Sequence, residues 1–243
     1  MELSREHYYR HWRQRLAWLQ HYLKVRFKHK ERPTVLRLSK FIPAGGVVVD
    51  VGAHFGYLSK EFCRIHNGSC KVYCFEPVEY TYSILSRIMA AYPNAVIENI
   101  ALSDKAGTER ISIPVKESGN LGIGLSHFGA ETLRDYIIEP INTVPLDDYV
   151  KRHNIERLDF IKCDVEGAEW LVFKGGSQSL DKFRPVIYTE LKDAATQRLG
   201  YRAQEFFSFL IDKGYRAHTL DTQGVAHRVE SYTDEVEDYL FLP

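Results

Sequence analysis

The segment VVVDVGAHFG, residues 47–56, decides the fold. Its first half is a short apolar run interrupted only by Asp50, which is typical of a strand buried on both faces of a parallel sheet. Gly52 and Gly56 follow the strand, and this pair predicts a tight turn that allows close backbone approach to a ligand. Taken alone, such a turn favours a plain connection between a strand and a helix, and Asp50 strengthens the case for a ligand.

The same alternation of strand and helix continues along the chain. We predict further strands over residues 71–75, 95–100, 158–163 and 186–191, helices over 57–65, 80–91, 168–174 and 203–213, and two closing strands over 215–220 and 239–242. This order calls for right-handed crossovers and a doubly wound α/β sheet. It is interrupted by residues 108–115, which alternate as an added strand or hairpin would, and by a glycine-rich loop, 117–129, typical of a functional lid.

The composition is that of a globular protein. Of 243 residues, 44% are hydrophobic and 26% are charged, which excludes wholesale disorder, a fibrous repeat and a disulfide scaffold. No apolar run approaches the roughly 18 to 20 residues that a membrane span needs, and the N-terminus lacks the apolar region of a secretory signal. The four cysteines show neither CxxC pairing nor metal-ligand spacing, so we expect reduced thiols in a cytoplasmic protein.

Residues 1–40 form a basic arm on an acidic body, residues 41–243. The arm has eleven Lys and Arg against three Glu, a net charge of +8, and the body has a net charge of −8. A basic arm of this kind permits a polyanionic partner, but it does not by itself predict nucleic-acid binding, and we expect none.

The arm also carries apolar residues at helical spacing. An apolar stripe is predicted along a helix over about residues 4–28, formed by Trp12, Leu16, Leu19, Leu23 and Phe27. The favoured interpretation is a helix docked on its own domain or on a second subunit, which would make the protein a homo-oligomer. The alternative is a membrane-surface helix or an arm for an anionic substrate.

Acidic residues follow several of the predicted strands, at the edge where open parallel sheets bind their ligands. Asp50 ends the first strand, and a carboxylate buried there is costly unless a cation or a hydrogen-bond donor meets it. It would repel a pyrophosphate and attract an ammonium group. Glu76 ends the second strand and is placed to accept both hydroxyls of an adenosine ribose, although it is also explained as an acid at a helix N-terminus.

Two further segments lie at the same edge. After the third strand, Ala101, Leu102 and Ser103 are placed to wall an adenine ring, with a plain turn as the alternative. After the fourth strand, the segment KCDVEGAE, 162–169, holds three acids. Asp164 stands at the strand end itself and is expected in the site, whereas Glu166 and Glu169 are also explained as first-turn acids of the next helix.

With these residues in place, the sequence resembles the FkbM family of S-adenosylmethionine-dependent methyltransferases. The resemblance rests on VVVDVGAHFG (47–56), VYCFEP (72–77), ENIALSD (98–104) and LDFIKCDVEGAEWLVFKGG (158–176), and it covers about residues 45–242. His54 departs from the family, which commonly has Asn there. The resemblance implies a Rossmann-like, mostly parallel, seven-stranded sheet with a C-terminal antiparallel hairpin. It also implies O-methylation of a hydroxyl on a sugar, glycan or polyketide-type natural product.

The resemblance implies a binding site for S-adenosylmethionine as well. The methionine moiety would contact Asp50 and the turn that includes Gly52, His54 and Gly56. Glu76 would bind the ribose, and residues 101–104 would border the adenine. Asp164 would lie near the sulfonium and the incoming hydroxyl.

The hydroxyl must also lose a proton, and a carboxylate with an ordinary pKa of about 4 is a poor acceptor for the proton of an alcohol. Either burial raises the pKa of Asp164 or Glu166, or a histidine serves, with His127 in the glycine-rich loop preferred to His54. A third route is Mg²⁺ held by Asp164, Glu166 and Glu190, because hard cations take oxygen ligands.

Two other functions stay open at this stage. A nicotinamide-dependent oxidoreductase would use a similar fold, but it calls for G-x-G-x-x-G with amides free for a pyrophosphate, where this chain has D-V-G-A-H-F-G. A non-catalytic binding module on the same fold would use the arm to recruit a partner. The acceptor itself is not readable, because its recognition is expected in the loop over residues 117–136.

Overall fold

The computed structural model describes residues 12–115, 127–128 and 135–243, and for residues 127–128 it describes the backbone. The strands are β1 Val47–Val51, β2 Lys71–Phe75, β3 Ala95–Glu98, β4 Ala101–Leu102, β5 Gly107–Pro114, β6 His127–Phe128, β7 Tyr136–Val144, β8 Phe160–Cys163, β9 Val186–Glu190, β10 Arg216–Leu220, β11 Ala226–Arg228 and β12 Asp238–Leu242. The α-helices are Trp12–Phe27 (the arm helix), Arg32–Leu38, Ser59–Phe62, Glu79–Met89, Leu146–Arg152, Glu169–Lys174, Ser177–Phe183, Asp193–Thr196 and Ala203–Asp212.

The main sheet has the strand order β11-β10-β12-β9-β8-β1-β2-β3 within the described residues. Strands β9, β8, β1, β2 and β3 are parallel, while β12 runs antiparallel to both β9 and β10. The α/β fold class with its C-terminal antiparallel hairpin is therefore confirmed, and all seven predicted strands lie in this sheet. The short edge strand β11 is an eighth strand of this sheet. It was not predicted, because its three residues, Ala-His-Arg, have no apolar pattern.

Strand β1 lies at the point where the strand order reverses, since its neighbours are β2 on one side and β8 on the other. Val51 pairs in register with both Phe75 and Cys163. The next residue of each strand, Gly52, Glu76 and Asp164, therefore stands at the same edge of the sheet. This is the edge at which open parallel sheets bind their ligands.

A second sheet, with the order β4-β7-β5-β6, stands beside the first. Its centre is the long antiparallel pair β5–β7, which extends from Gly107 opposite Thr143 to Pro114 opposite Tyr136. The added strand over residues 108–115 was predicted, but its partner β7 was not. Pro140 interrupts the apolar residues of β7, and proline within such a run argues against a strand.

The arm helix docks on its own domain with the face opposite to the apolar stripe. Val25 is fully buried, and Trp18 Nε1 donates a hydrogen bond of 2.8 Å to Ser83 Oγ on the helix Glu79–Met89. The five residues of the apolar stripe are between 42% and 72% exposed. Within a single chain, the arm helix therefore does not dock through the apolar stripe, as one of the predicted arrangements required. In the described parts of the chain, no helix combines the length and apolar character needed to cross a bilayer.

Candidate functional site

A cavity of about 310 Å³ opens at the carboxyl ends of β1, β2 and β8. Its lining comes from the four segments that carry the resemblance, from residues that flank them, from β5 and β7 of the second sheet, and from the arm: Lys30, Glu31, Val51, Gly52, Ala53, His54, Tyr57, Leu58, Phe75, Glu76, Pro77, Val78, Ile100, Ala101, Leu102, Ile111, Ile141, Lys162, Asp164, Val165, Glu166 and Ala168. Most of these side chains are apolar and a few polar groups converge among them, as in a small-molecule site.

The turn after β1 requires glycine at its first position. Gly52 has a φ of +74°, and a Cβ there would lie 2.0 Å from the backbone oxygen of Asp164. The turn therefore holds the ends of β1 and β8 together. The role of Gly56 is different, because its missing Cβ makes room for Leu85 and Gly56 does not border the cavity.

The backbone amides of this turn are already used. The amides of Gly52 and Ala53 both donate to Phe75 O, at 3.0 and 2.9 Å, and the amide of His54 donates to Glu76 Oε2 at 2.8 Å. None of these three amides is left to bind a phosphate. The turn thus differs from a dinucleotide-binding loop, which offers free amides to the pyrophosphate.

Glu76 borders the cavity and is held by three donors. Besides the His54 amide, Val78 N donates to its Oε1 at 3.0 Å and Thr81 Oγ1 donates at 2.7 Å. Burial raises the pKa of Glu76 to about 7, although these hydrogen bonds favour the ionised form. The bond to Val78 ties Glu76 to the start of the helix Glu79–Met89. The two predicted roles, helix-terminus acid and cavity-facing acceptor, are therefore compatible in one side chain.

Lys162 is a site residue that the sequence pattern did not indicate. Its Nζ lies 3.5 Å from Asp50 Oδ1 and 3.6 Å from Asp164 Oδ2, and it donates to Gly52 O at 3.2 Å. Burial acts to lower the pKa of Lys162, but the two carboxylates outweigh burial and raise it above its usual range. The ammonium group of Lys162 is therefore a buried positive charge in the cavity lining.

Asp50 is fully buried and does not border the cavity. Its Oδ2 accepts a hydrogen bond of 2.6 Å from Ser59 Oγ, and its Oδ1 faces Lys162. The direct contact predicted between Asp50 and a ligand is therefore not what the geometry shows. The reason is that the buried carboxylate meets a cation of the chain itself, its register partner on β8.

The adenine wall predicted after β3 is partly present. Ala101 and Leu102, which form β4 at the edge of the second sheet, border the cavity together with Ile111 of β5 and Ile141 of β7. Ser103 is buried and does not border the cavity. Its backbone oxygen packs closely against Gly175, since a Cβ added to Gly175 would lie 2.0 Å from that oxygen. The second sheet thus supplies apolar surface that periodicity alone did not place at the site.

The turn after β8 holds Glu166 in an unusual conformation. Glu166 and Gly167 have φ values of 54° and 103°, and positive φ is uncommon for a residue with a side chain. Glu169 braces the turn, because its Oε1 accepts hydrogen bonds from Val165 N at 2.9 Å and Gly167 N at 3.2 Å. Glu169 is thus a structural first-turn acid, whereas Glu166 borders the cavity.

Burial raises the pKa of Glu166 to about 7, and the charges of Asp164 and Glu190 act in the same direction. A carboxylate whose pKa is raised toward 7 is a better proton acceptor near neutral pH than one with an ordinary pKa. His54 borders the cavity too, but burial, followed by the charge of Lys162, lowers its pKa to about 4. The His127 backbone pairs with Ser112, and its side chain lies outside the described residues, as does most of the glycine-rich loop.

A magnesium site is not supported. In residues 12–115 and 135–243, no three His, Cys, Asp or Glu side chains converge in a way that would hold a metal ion. Of the three candidate ligands, Asp164 is paired with Lys162, and Glu190 lies 2.8 Å from Lys192 and does not border the cavity. Two of the three carboxylates are thus already paired with lysines of the chain.

The arm also reaches the site. Lys30 and Glu31, which follow the arm helix, border the cavity, and Lys30 Nζ lies 4.5 Å from the ring centre of Tyr57. No sequence signal predicted this contact, because the arm lies outside the segments that carry the resemblance. The predicted boundary at residue 40 therefore does not separate the arm from the site.

The chain is similar to known methyltransferases in sequence. The sequence profile of the methyltransferase FkbM domain matches residues 50–217, more than half of the chain. The 2-O-methyltransferase NoeI of Sinorhizobium fredii is 28% identical over 158 residues, covering 60% of this chain and 63% of that protein. Methyltransferase sdnD of Sordaria araneosa is 26% identical over 160 residues, covering 55% of this chain and 61% of that protein.

Among solved structures, methyltransferase FkbM from Methylobacillus flagellatus superposes with a TM-score of 0.51 at 14% identity, over 81% of this chain and 43% of that one. This likeness concerns the fold alone. The chain thus spans less than two thirds of the length of each of these three proteins. By the profile match and the shared fold, the chain belongs to the methyltransferase FkbM domain family.

Proposed function

We propose that the protein is an S-adenosylmethionine-dependent O-methyltransferase that acts on a hydroxyl of a sugar, glycan or polyketide-type natural product. The observation that carries the proposal is the cavity at the switch point, where Glu76 and Glu166 lie in one lining with an apolar wall. Membership of the family supports methyl transfer. The name 2-O-methyltransferase, borne by one relative, supports a hydroxyl acceptor.

The lining fits S-adenosylmethionine in three respects. Glu76 keeps acceptor capacity on Oε2 and would take the ribose hydroxyls. Ala101 and Leu102, with Ile111 and Ile141 of the same sheet, would pack against the adenine. Asp164 is still 42% exposed although it is paired with Lys162, and it would face the amino group of the methionine moiety.

The chemistry follows from these placements. S-adenosylmethionine supplies a methyl group already activated by a sulfonium, so the protein mainly has to align the acceptor and exclude water. The apolar part of the lining would exclude water from the reacting atoms once cofactor and acceptor are bound. Glu166 would accept the proton of the acceptor hydroxyl, because a base works best with a pKa near the operating pH and Glu166 has one of about 7.

The oxidoreductase alternative loses support, because the amides of Gly52, Ala53 and His54 are occupied within the chain. The binding-module alternative gives no role to an acid such as Glu166, which borders the cavity and has its pKa raised to about 7, where it suits proton transfer.

Calorimetric titration of the full chain with S-adenosylhomocysteine and with NAD tests the proposal. We expect S-adenosylhomocysteine to bind and NAD not to bind. Glu76→Gln should weaken binding about tenfold or more, since a hydrogen bond to a charged group contributes about 1.5 to 3 kcal/mol. Glu156→Gln, a change at an exposed acid outside the lining, is the matched control and should bind like the unchanged protein.

Activity is then sought with a labelled methyl donor and a panel of glycans and polyols. Incorporation of label that Glu76→Gln lowers at limiting methyl donor and Glu156→Gln preserves supports the enzyme. Tight NAD binding without S-adenosylhomocysteine binding would overturn it. Binding without transfer to any hydroxyl acceptor would favour the binding module.

A further inference from the structure

The apolar stripe of the arm helix points away from the body of the protein. Leu19 and Leu23 at its centre are 46% and 42% exposed, and Phe27 at its end is 72% exposed. Together with Trp12 and Leu16 they form one continuous row at helical spacing. Single exposed apolar residues need no explanation, but a row of five on one face marks an interaction surface.

This orientation is fixed by contacts on the other side of the helix. Trp18 Nε1 donates a hydrogen bond to Ser83 Oγ, and Val25 is fully buried. At the end of the helix, the buried Lys60 donates from Nζ to the carbonyl oxygens of Val25 and of Lys28. Rotation that turned the stripe inward would break all of these contacts. The stripe therefore stays outward in the folded protein.

Basic residues flank the stripe on both sides. At helical spacing, Arg15 and Arg26 lie along one border and Arg13 and Lys24 along the other. The arm helix contains no Asp or Glu from Trp12 to Phe27. An apolar row between two basic rows is the pattern of a helix that lies in the plane of a membrane interface.

The charges favour a lipid surface over a second copy of the chain. Two stripes packed face to face would bring the basic rows of both helices together with no acid of either helix to balance them. Phospholipid headgroups with net negative charge would instead neutralise the rows while the aromatic and leucine side chains enter the acyl boundary. We propose that the arm helix binds the surface of an anionic phospholipid bilayer through the apolar stripe.

Vesicle flotation tests this proposal with the full chain. The protein is mixed with vesicles of phosphatidylcholine alone and with vesicles that also contain phosphatidylglycerol. We expect binding to the second kind, weakened by added salt, with a blue shift of tryptophan fluorescence as Trp12 leaves water. Vesicles of phosphatidylcholine alone should bind at least about tenfold less, because the charge attraction is then missing.

Variants separate the apolar and the electrostatic contributions. Leu19→Ser with Leu23→Ser should lower vesicle binding about tenfold or more, since both side chains would otherwise be buried in the interface. Arg15→Gln with Arg26→Gln should lower binding to anionic vesicles only. The matched control is Ile211→Ser with Val225→Ser, which removes two exposed apolar side chains elsewhere and should bind normally.

All these side chains are exposed, so circular dichroism and melting temperature should be unchanged. Unaltered binding of the Leu19→Ser, Leu23→Ser variant would overturn the proposal, as would absence of binding to anionic vesicles. A homodimer in light scattering that this variant converts into monomers would also overturn it, and would assign the stripe to a second copy. None of these readouts depends on methyl transfer.

Discussion

Glu166 shows how a backbone position can set the chemistry of a side chain. Its positive φ, enforced by Glu169 and by the glycine after it, directs an acid into the cavity beside Asp164. There the low exposure and the neighbouring negative charge both disfavour ionisation. The same residue in an ordinary helical turn would keep an ordinary pKa and would be a poor proton acceptor for an alcohol.

Replacing Glu166 by Gln tests this role. We expect kcat to fall by about 10² to 10⁴, the usual contribution of a general base, with cofactor affinity little changed. In the unchanged enzyme, activity should be lost as pH falls through about 7, because the base must be deprotonated and its pKa is raised to about 7. This limb of the pH profile of kcat should be absent in Glu166→Gln.

Glu190→Gln is the matched control, because Glu190 is a nearby acid that does not border the cavity. It should keep most of kcat and keep the pH limb, moved to lower pH, because the negative charge of Glu190 no longer raises the pKa of Glu166. Glu76 also has a pKa of about 7, but its titration should change cofactor affinity rather than kcat. Retention of the pH limb in Glu166→Gln would assign the proton to another group, with the His127 side chain next in order.

The sequence could have located one further residue of the site. Lys162 interrupts an otherwise apolar strand, and a buried lysine requires a carboxylate. Once β1 and β8 are taken as neighbours, Asp50 and Lys162 fall in register. What the sequence does not show is that this internal pair removes Asp50 from the cavity wall, because that depends on side-chain packing.

At the scale of elements, the predictable parts are those with a strong local pattern. The strands of the parallel sheet were predicted because buried apolar runs bounded by glycine or acids are distinctive. The helices Leu146–Arg152 and Ser177–Phe183 have only seven residues each, which is too short for apolar periodicity to indicate a helix. The arm helix was predicted with the wrong docked face, because the docked row of Trp18, Tyr22 and Val25, which is also at helical spacing, is shorter than the exposed stripe of five apolar residues.

The connection between β1 and the next helix gives a test at this scale. Gly52→Ala should destabilise the fold by more than the roughly 1 to 2 kcal/mol of a left-handed residue, because its Cβ would also meet Asp164 O at 2.0 Å. The matched control is Gly45→Ala. Gly45 has a φ of +70° with no atom near the added Cβ, so that variant carries the backbone cost alone.

Denaturant unfolding and titration with S-adenosylhomocysteine measure the two effects. We expect Gly52→Ala to lose cofactor affinity as well as stability, since the ends of β1 and β8 must separate. Gly45→Ala should keep full affinity. Equal losses in the two variants would mean that the close approach at Gly52 contributes nothing.

For the whole molecule, the arm and the body form one structure rather than a domain with a detachable extension. Lys60 is almost fully buried and donates to two carbonyl oxygens at the end of the arm helix. His29 Nδ1 lies 2.5 Å from Glu61 Oε1 in the same region. From there the chain leads directly to Lys30 and Glu31 in the cavity lining. The charge asymmetry of the sequence indicates an arm, but it does not show that the arm is anchored beside the site.

Lys60→Met tests this coupling without touching the cavity. The substitution removes both donors at the helix end, and we expect a loss of about 1 to 3 kcal/mol in the free energy of unfolding, because buried carbonyl oxygens are left without partners. The arm should become sensitive to limited proteolysis near residues 24–30. Affinity for S-adenosylhomocysteine should fall as the arm loosens, since the positions of Lys30 and Glu31 depend on the anchoring of the arm.

Lys40→Met is the matched control, because Lys40 is exposed and donates to one carbonyl oxygen, that of Gln223. An arm released by Lys60→Met with cofactor affinity unchanged would show that the arm borders the cavity without contributing to binding.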